Sequence, residues 1–257
     1  NLVLTPHLGA SSGEAQKRVS TEIAHQMADY LLNDEARSAL NAATVSPDLL
    51  TTLRPYITLG RRLGLVLAQM ADTPIERVEI DYVGRVAEMD TNPVRVAVLA
   101  GVLRPTLDGP INAVNAEMLA TERGLKVLES KEADSSSDFA SLLKVHAWTD
   151  DGTEHMAAGS VFRGQPRLVL FEGFGVDFSP QGELLMTRHQ DQPGVLGALA
   201  SWLGERGVNI GGMHMAPACS DAEPALALFQ VNRALTADEE KQLTEVPAIT
   251  CARSITL

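Results

Sequence analysis

From Glu183 onward the hydrophobic period switches between two and 3.6 in an order that few folds accommodate. Glu183–Arg188 reads as a strand, Gln192-Pro193-Gly194 as a turn, and Val195–Arg206 as a helix closed by Gly207. Val208–Met215 and Leu226–Asn232 follow as strands, Thr236–Glu245 as a helix and Ile249–Ile255 as a last strand. Thr236-Ala237-Asp238-Glu239 is a capping box, which places the start of that second helix. The resulting βαββαβ order predicts two helices laid on one face of a four-stranded, ferredoxin-like sheet.

The residues before this block read as α+β. Asn1–Leu4 looks like a buried strand with no turn or cap ahead of it, so we expect it to close a sheet whose other strands lie upstream. A turn through Thr5-Pro6-His7-Leu8-Gly9 leads to a helix over about Gly13–Leu32, with Ser11 or Ser12 as cap and Val19, Ile23, Met27, Tyr30 and Leu31 on one face. The small, polar stretch from Asn33 to Pro47 reads as a linker. A second helix, roughly Asp48–Met70, contains Pro55, where a bend or restart is expected. Val78, Ile80 and Tyr82 then alternate as a strand; Val94–Leu103 is apolar and ambiguous, and Asn115–Arg123 is helical. Phe139–Thr149, Thr153–Phe162 and Leu168–Phe174 alternate as strands, the first two joined by the hairpin signal Asp150-Asp151-Gly152.

Charge and composition remove several functions. With 21 basic and 33 acidic residues the formal charge is 21 − 33 = −12, which leaves no cationic excess for a phosphate backbone and argues against nucleic acid. The most apolar runs, Leu63–Ala71 and Val96–Leu103, fall short of a membrane span, and no secretory leader opens the sequence. Cys219 and Cys251 make neither a disulfide framework nor a metal set, so no metal is expected and a reducing cytoplasm is the default location.

The turn between the first strand and helix of the C-terminal block carries the chemistry. Pro193 stiffens the entry to the helix, and Gly194 brings no side chain to keep an anion from the free N–H groups of the first turn. Asp191 offers an anionic partner to an ammonium, and Asn209 offers both a donor and an acceptor. On the residues alone, Asp191 equally suits a helix cap, Asn209 a backbone contact at a strand start, and His189 the surface. Arg188-His189-Gln190-Asp191-Gln192-Pro193-Gly194-Val195-Leu196-Gly197 with Gly207-Val208-Asn209-Ile210 nevertheless resembles an ACT domain as a set.

Two further resemblances join it. Leu4-Thr5-Pro6-His7-Leu8-Gly9-Ala10-Ser11, with Glu14 and Ala15 opening the helix, resembles the end of the nucleotide-binding domain of D-2-hydroxyacid dehydrogenases. Leu53-Arg54-Pro55-Tyr56-Ile57, Val114-Asn115-Ala116, Glu122-Arg123-Gly124 and Gly159-Ser160-Val161-Phe162 resemble the intervening domain of long-form D-3-phosphoglycerate dehydrogenases. The combination implies the C-terminal part of such an enzyme: residues 1–38 ending a Rossmann-type catalytic domain, 39–180 an intervening α+β domain, and 181–257 the ACT domain.

It further implies NAD as cofactor, 3-phosphoglycerate as substrate, His7 as catalytic acid/base and Gly9 beside the cofactor. L-serine would be the effector, held by His189, Asp191, Pro193, Gly194, Val195 and Leu196 of one chain and Asn209 of its mate, in a homo-oligomer (dimer or tetramer) assembled through ACT domains. No GxGxxG occurs, and Gly173-Phe174-Gly175 reads as a loop, so these residues alone are expected to be inactive and to bind no nucleotide. Arg163 and Arg167 are candidates for an anion site, with solvated loop arginines as the competing reading. The loop Arg163-Gly164-Gln165-Pro166-Arg167 and the stretch His214–Cys219 depart from the family pattern. A stand-alone amino-acid sensor and the regulatory subunit of a serine dehydratase are the alternatives, both without use for a dehydrogenase histidine.

Overall fold

The computed structural model describes residues 2, 4, 6, 9–33, 47–133, 139–218 and 224–257. Helix α1 (Gly13–Asn33) starts where the Ser12 hydroxyl accepts the Ala15 N–H at 3.2 Å, the expected cap. Its shared apolar face exists, but Val19, Ile23, Met27 and Leu31 are all more than half exposed. The strand expected at 1–4 is not formed by its described residues: Leu2 and Leu4 lie in no strand and are exposed. The expected linker falls almost wholly at 34–46, outside the described residues.

Helix α2 (Pro47–Met70) runs through Pro55 as one element, so of the bend or restart expected there, no restart occurs. It buries Leu59, Leu63, Val66 and Leu67 and crosses α3 (Asn92–Leu103), the run whose period was ambiguous. The ambiguity has a physical cause, since α3 is buried on opposite sides. Val94, Val98 and Val102 join the main core, whereas Val96, Leu99 and Leu103 pack with Ala116 and Ala120 of α4 (Ala116–Glu122). A helix covered all round has no polar face to reveal its period. Gly64 and Gly101 permit the α2–α3 approach. A Cβ on the first would lie 2.2 Å from the Val98 carbonyl oxygen, and one on the second 2.1 Å from that of Arg61.

The first sheet contains β1 (Ile75–Gly84), β2 (Lys126–Glu132), β3 (Ser141–Thr149), β4 (Glu154–Phe162), β5 (Gln165–Phe171) and β6 (Phe174–Phe178), in the order β2-β1-β3-β4-β5-β6. Among the described residues only β1 and β2 pair in parallel, and α3 and α4 form the crossover between them. Val78, Ile80, Leu143, Val145 and Ala147 turn one face of the sheet to α2. Two strands escaped the sequence reading. Edge strand β2 carries Lys126, Glu129, Lys131 and Glu132, the charge pattern that guards an open edge and masks alternation. Strand β6 occupies what reads as a Gly173-Phe174-Gly175 loop. Only Glu172-Gly173 turns, and Phe174, Val176 and Phe178 then alternate.

The second sheet contains β7 (Glu183–His189), β8 (Ile210–Ala216), β9 (Ala225–Val231) and β10 (Ile249–Thr256), with α5 (Val195–Glu205) after β7 and α6 (Ala237–Leu243) after β9. Its order, β10-β7-β9-β8, is antiparallel throughout. The capping box at Thr236 and Glu239 is formed. Leu185, Ala227 and Phe229 face α5 and α6 across Val195, Leu199 and Leu243. The alternate residues Leu184, Met186, Leu226, Leu228 and Ile255 sit in the same core as Leu63, Val176 and Phe178. The second sheet is therefore covered on both sides, by its own helices and by the first α+β unit. At this seam the Gln69 side-chain amide donates to the Thr256 carbonyl and accepts the Thr256 N–H, both at 3.0 Å, pairing with edge strand β10. Arg253 pairs with Asp72 beside it.

Candidate functional site

Strand β7 ends at His189, the chain turns through 190–194, and α5 begins at Val195. Side chains alternate along a strand, so Thr187 and His189 share the face that α5 covers, whereas Arg188 points the other way. Thr187 is fully buried and His189 is 3% exposed. The Thr187 Oγ1 and His189 Nδ1 atoms are both buried and lack a hydrogen-bond partner. An unpaired polar atom in such a place costs about 1–3 kcal/mol, and here two follow each other on one strand face.

The helix opens just as plainly. Gly194 takes φ +94° as its N-cap, a left-handed conformation that suits glycine, and no side chain caps the helix there. Asp191 is thus not the cap. Ala198 donates to the Gly194 carbonyl at 2.9 Å, which begins the ladder and leaves the first-turn N–H groups pointing outward. Such a terminus favours an anion by roughly 0.3–1 kcal/mol. Pro193 and Gly194 are exposed, Val195 is buried and Leu196 half-buried, giving the opening an apolar wall. Burial lowers the His189 pKa from its ordinary value, with the Asp191 carboxylate opposing it more weakly, so the imidazole favours its neutral form. A neutral imidazole, a hydroxyl, an exposed carboxylate and an uncapped helix end complement a small molecule with both an anionic and a cationic group. They offer no activated nucleophile.

The other expected residues lie elsewhere. Asn209 follows the C-terminal end of α5, about 16 Å of helix from Gly194 at 1.5 Å per residue. Its N–H donates to Asn232 Oδ1 at 2.8 Å, which satisfies its backbone. Arg163 takes φ +51° in the exposed β4–β5 turn. The Arg167 guanidinium is engaged by Asp177, at 2.8 Å from Nε and 2.7 Å from Nη2, so its charge is already neutralised. Gly9 lies in an exposed turn before α1, and His7 is outside the described residues. Among the described residues no group of three metal-ligating side chains gathers, and no helix is long and apolar enough to cross a membrane. Thr187 was missed by the sequence reading, although a threonine directly after the apolar run Leu184-Leu185-Met186 and two residues before His189 was the available signal.

Comparison with known proteins adds independent information. Residues 52–172 match the family model described as the D-3-phosphoglycerate dehydrogenase intervening domain. A D-3-phosphoglycerate dehydrogenase from Synechocystis is 39% identical over 217 residues, which is 84% of this chain and 39% of that protein. The Bacillus subtilis protein of the same name is 31% identical over 256 residues, 100% of this chain and 48% of its own length. The one from Methanocaldococcus jannaschii is 31% identical over 249 residues, 97% and 47% respectively. The chain thus spans less than half the length of these curated relatives.

Proposed function

Because the chain belongs to the D-3-phosphoglycerate dehydrogenase family, with its intervening domain and C-terminal region, we propose that residues 181–257 are an ACT domain through which L-serine regulates the whole enzyme. The observation that carries this reading is the pair of buried, unpartnered polar atoms on Thr187 and His189 beside an uncapped, glycine-initiated helix. The α-carboxylate of serine sits at the N–H groups of Val195 and Leu196, its ammonium faces Asp191, and its hydroxyl is within the compass of His189 and Thr187.

Asn209 completes the site from a second copy. Strand β8 is an outer strand of its sheet, with Met213 and Met215 exposed, and the other outer strand, β10, is engaged by Gln69. Antiparallel pairing of β8 with its copy joins the two sheets across a two-fold axis. It carries the Asn209 end of one chain towards the His189 end of the other. The partner in this proposal is another copy of the chain, as a dimer or within a tetramer.

In the proposal the full-length enzyme is cytoplasmic and oxidises the C2 hydroxyl of 3-phosphoglycerate with NAD, and His7 takes the hydroxyl proton. The described residues do not themselves fit a dinucleotide. The N-terminus of α1 is closed by its own Ser12 hydroxyl, and no glycine-rich phosphate turn precedes it. Serine acts by favouring one arrangement of the enzyme through tighter binding to it.

Calorimetric titration with L-serine tests the reading. Wild-type protein is expected to bind, and Asp191→Ala to abolish binding by removing the ammonium partner. Equal affinity in the two would refute the site.

A further inference from the structure

Behind the candidate site, on the opposite face of β7, lies a buried carboxylate that the proposed function does not use. Glu172 occupies the first position of the two-residue β5–β6 turn, and its side chain is 8% exposed. Its Oε1 accepts the Met156 N–H at 3.0 Å, while its Oε2 lies 3.3 Å from His155 Nδ1 and accepts from Arg188 Nη2 at 3.2 Å. The Glu172 N–H donates to the Met156 carbonyl at 2.8 Å. One carboxylate thus joins strand β4, the β5–β6 turn and strand β7.

The backbone marks this glutamate as a residue kept for its side chain. Glu172 takes φ +49° and Gly173 φ +85°, the pair of left-handed conformations in which asparagine followed by glycine is the low-strain choice. A glutamate is strained there and persists when its surroundings hold it. The three partners of the carboxylate supply that hold. Arg188, the partner on β7, immediately precedes His189. Its carbonyl also accepts the Thr250 hydroxyl at 3.1 Å, so both its ends are tied. Fixing Arg188 from one side of the strand fixes the point from which His189 hangs on the other.

We infer that Glu172 is a positioning residue for the candidate ligand site: by clamping Arg188 it holds the His189–Asp191 segment where a ligand at the start of α5 meets it. This rests on the serine reading above and assigns the intervening domain a part in the affinity of that site. Ligand occupancy and the seam between the two sheets are thereby coupled, and each stabilises the other.

The test uses intact protein carrying Glu172→Asn, Arg188→Lys, Gln69→Ala or Asp191→Ala, with serine calorimetry, thermal melting and amide hydrogen exchange. Asparagine suits the turn and offsets part of the lost clamp, so Glu172→Asn is expected to fold and melt cooperatively yet bind serine about tenfold more weakly, the scale of one lost charged hydrogen bond. Exchange is expected to quicken in residues 188–194. Arg188→Lys, which keeps a cationic donor for Glu172, restores most of the affinity relative to Glu172→Asn. Gln69→Ala opens the same seam at β10 and leaves affinity unchanged.

Unaltered affinity and unaltered exchange at 188–194 in Glu172→Asn would overturn the inference, even with Asp191→Ala abolishing binding as the serine reading requires. An equal loss in Gln69→Ala would also overturn it, because general loosening of the seam would then suffice. If wild-type protein binds no serine, the serine reading fails and hydrogen exchange decides alone. Quickening confined to 188–194 upholds the positioning role, and its absence removes it.

Discussion

Gly101→Ala isolates the contact on which the first α+β unit depends. The added Cβ would stand 2.1 Å from the Arg61 carbonyl oxygen and 2.8 Å from the Leu65 nitrogen, and both obstacles are backbone. No rotamer change relieves them. Restoring an ordinary separation of 3.4 Å requires α2 and α3 to part locally by 3.4 − 2.1 = 1.3 Å, in a core that is otherwise closely packed. Overpacking of this kind costs about 1–3 kcal/mol, and backbone obstruction places this case at the upper end. Alanine recovers about 1 kcal/mol of helix propensity, so the net loss is about 2 kcal/mol. For a chain of this size that is a fall in Tm of about 4–8 °C.

Gly204→Ala is the matched control. It is the same exchange in α5, exposed and with no atom within 4 Å of the new methyl, so the propensity gain stands unopposed. Scanning calorimetry should move the two midpoints in opposite directions. If Gly101→Ala melts at or above wild type, the two helices are not in backbone contact and the packing argument fails.

The lowered pKa of His189 makes stability pH-dependent. Above the unfolded value of about 6.5 both states are neutral; as pH falls from there through the folded value, the unfolded chain takes up a proton that the native one refuses, and stability is lost. Urea midpoints between pH 7.5 and 5 should therefore fall less steeply in His189→Gln than in wild type, and parallel slopes would deny the buried neutral histidine. A protein cut to residues 181–257 would present Leu184, Met186, Leu226, Leu228 and Ile255 to water. It should aggregate or lose cooperative unfolding, whereas a monomeric fragment with a sharp melt would show that the first unit is dispensable. Met213→Lys with Met215→Lys puts two charges on the outer strand of the proposed pair of copies. Light scattering should show the mass halved, and an unchanged mass would move the interface elsewhere.

The C-terminal block was legible nearly residue by residue because its signals are local. Asp238 and Glu239 follow a threonine cap, Pro193-Gly194 marks a helix entry, and short apolar runs are separated by turn residues. The candidate site was legible in the same way wherever a turn made it, at Asp191, Pro193 and Gly194. It was illegible where burial made it. Thr187 is ordinary in a strand until the sheet, α5 and the missing hydrogen-bond partner are seen together. Helix α3 hid its period because both sides are covered, and β2 hid its strand because its charges guard an edge. Arg167 read as a free cation until the hairpin brought Asp177 opposite it.

By itself, then, the order of residues determined which segments of the C-terminal block coil or extend and where most of them stop, since those choices rest on hydrogen bonds and side-chain spacings a few residues apart. Tertiary structure alone decided that the second sheet is covered on both faces, that Gln69 seals one of its edges, and that Glu172 reaches Arg188. Those contacts join residues far apart along the chain, so no local spacing announces them, just as none announces that Gly64 and Gly101 let α2 and α3 close to backbone distance.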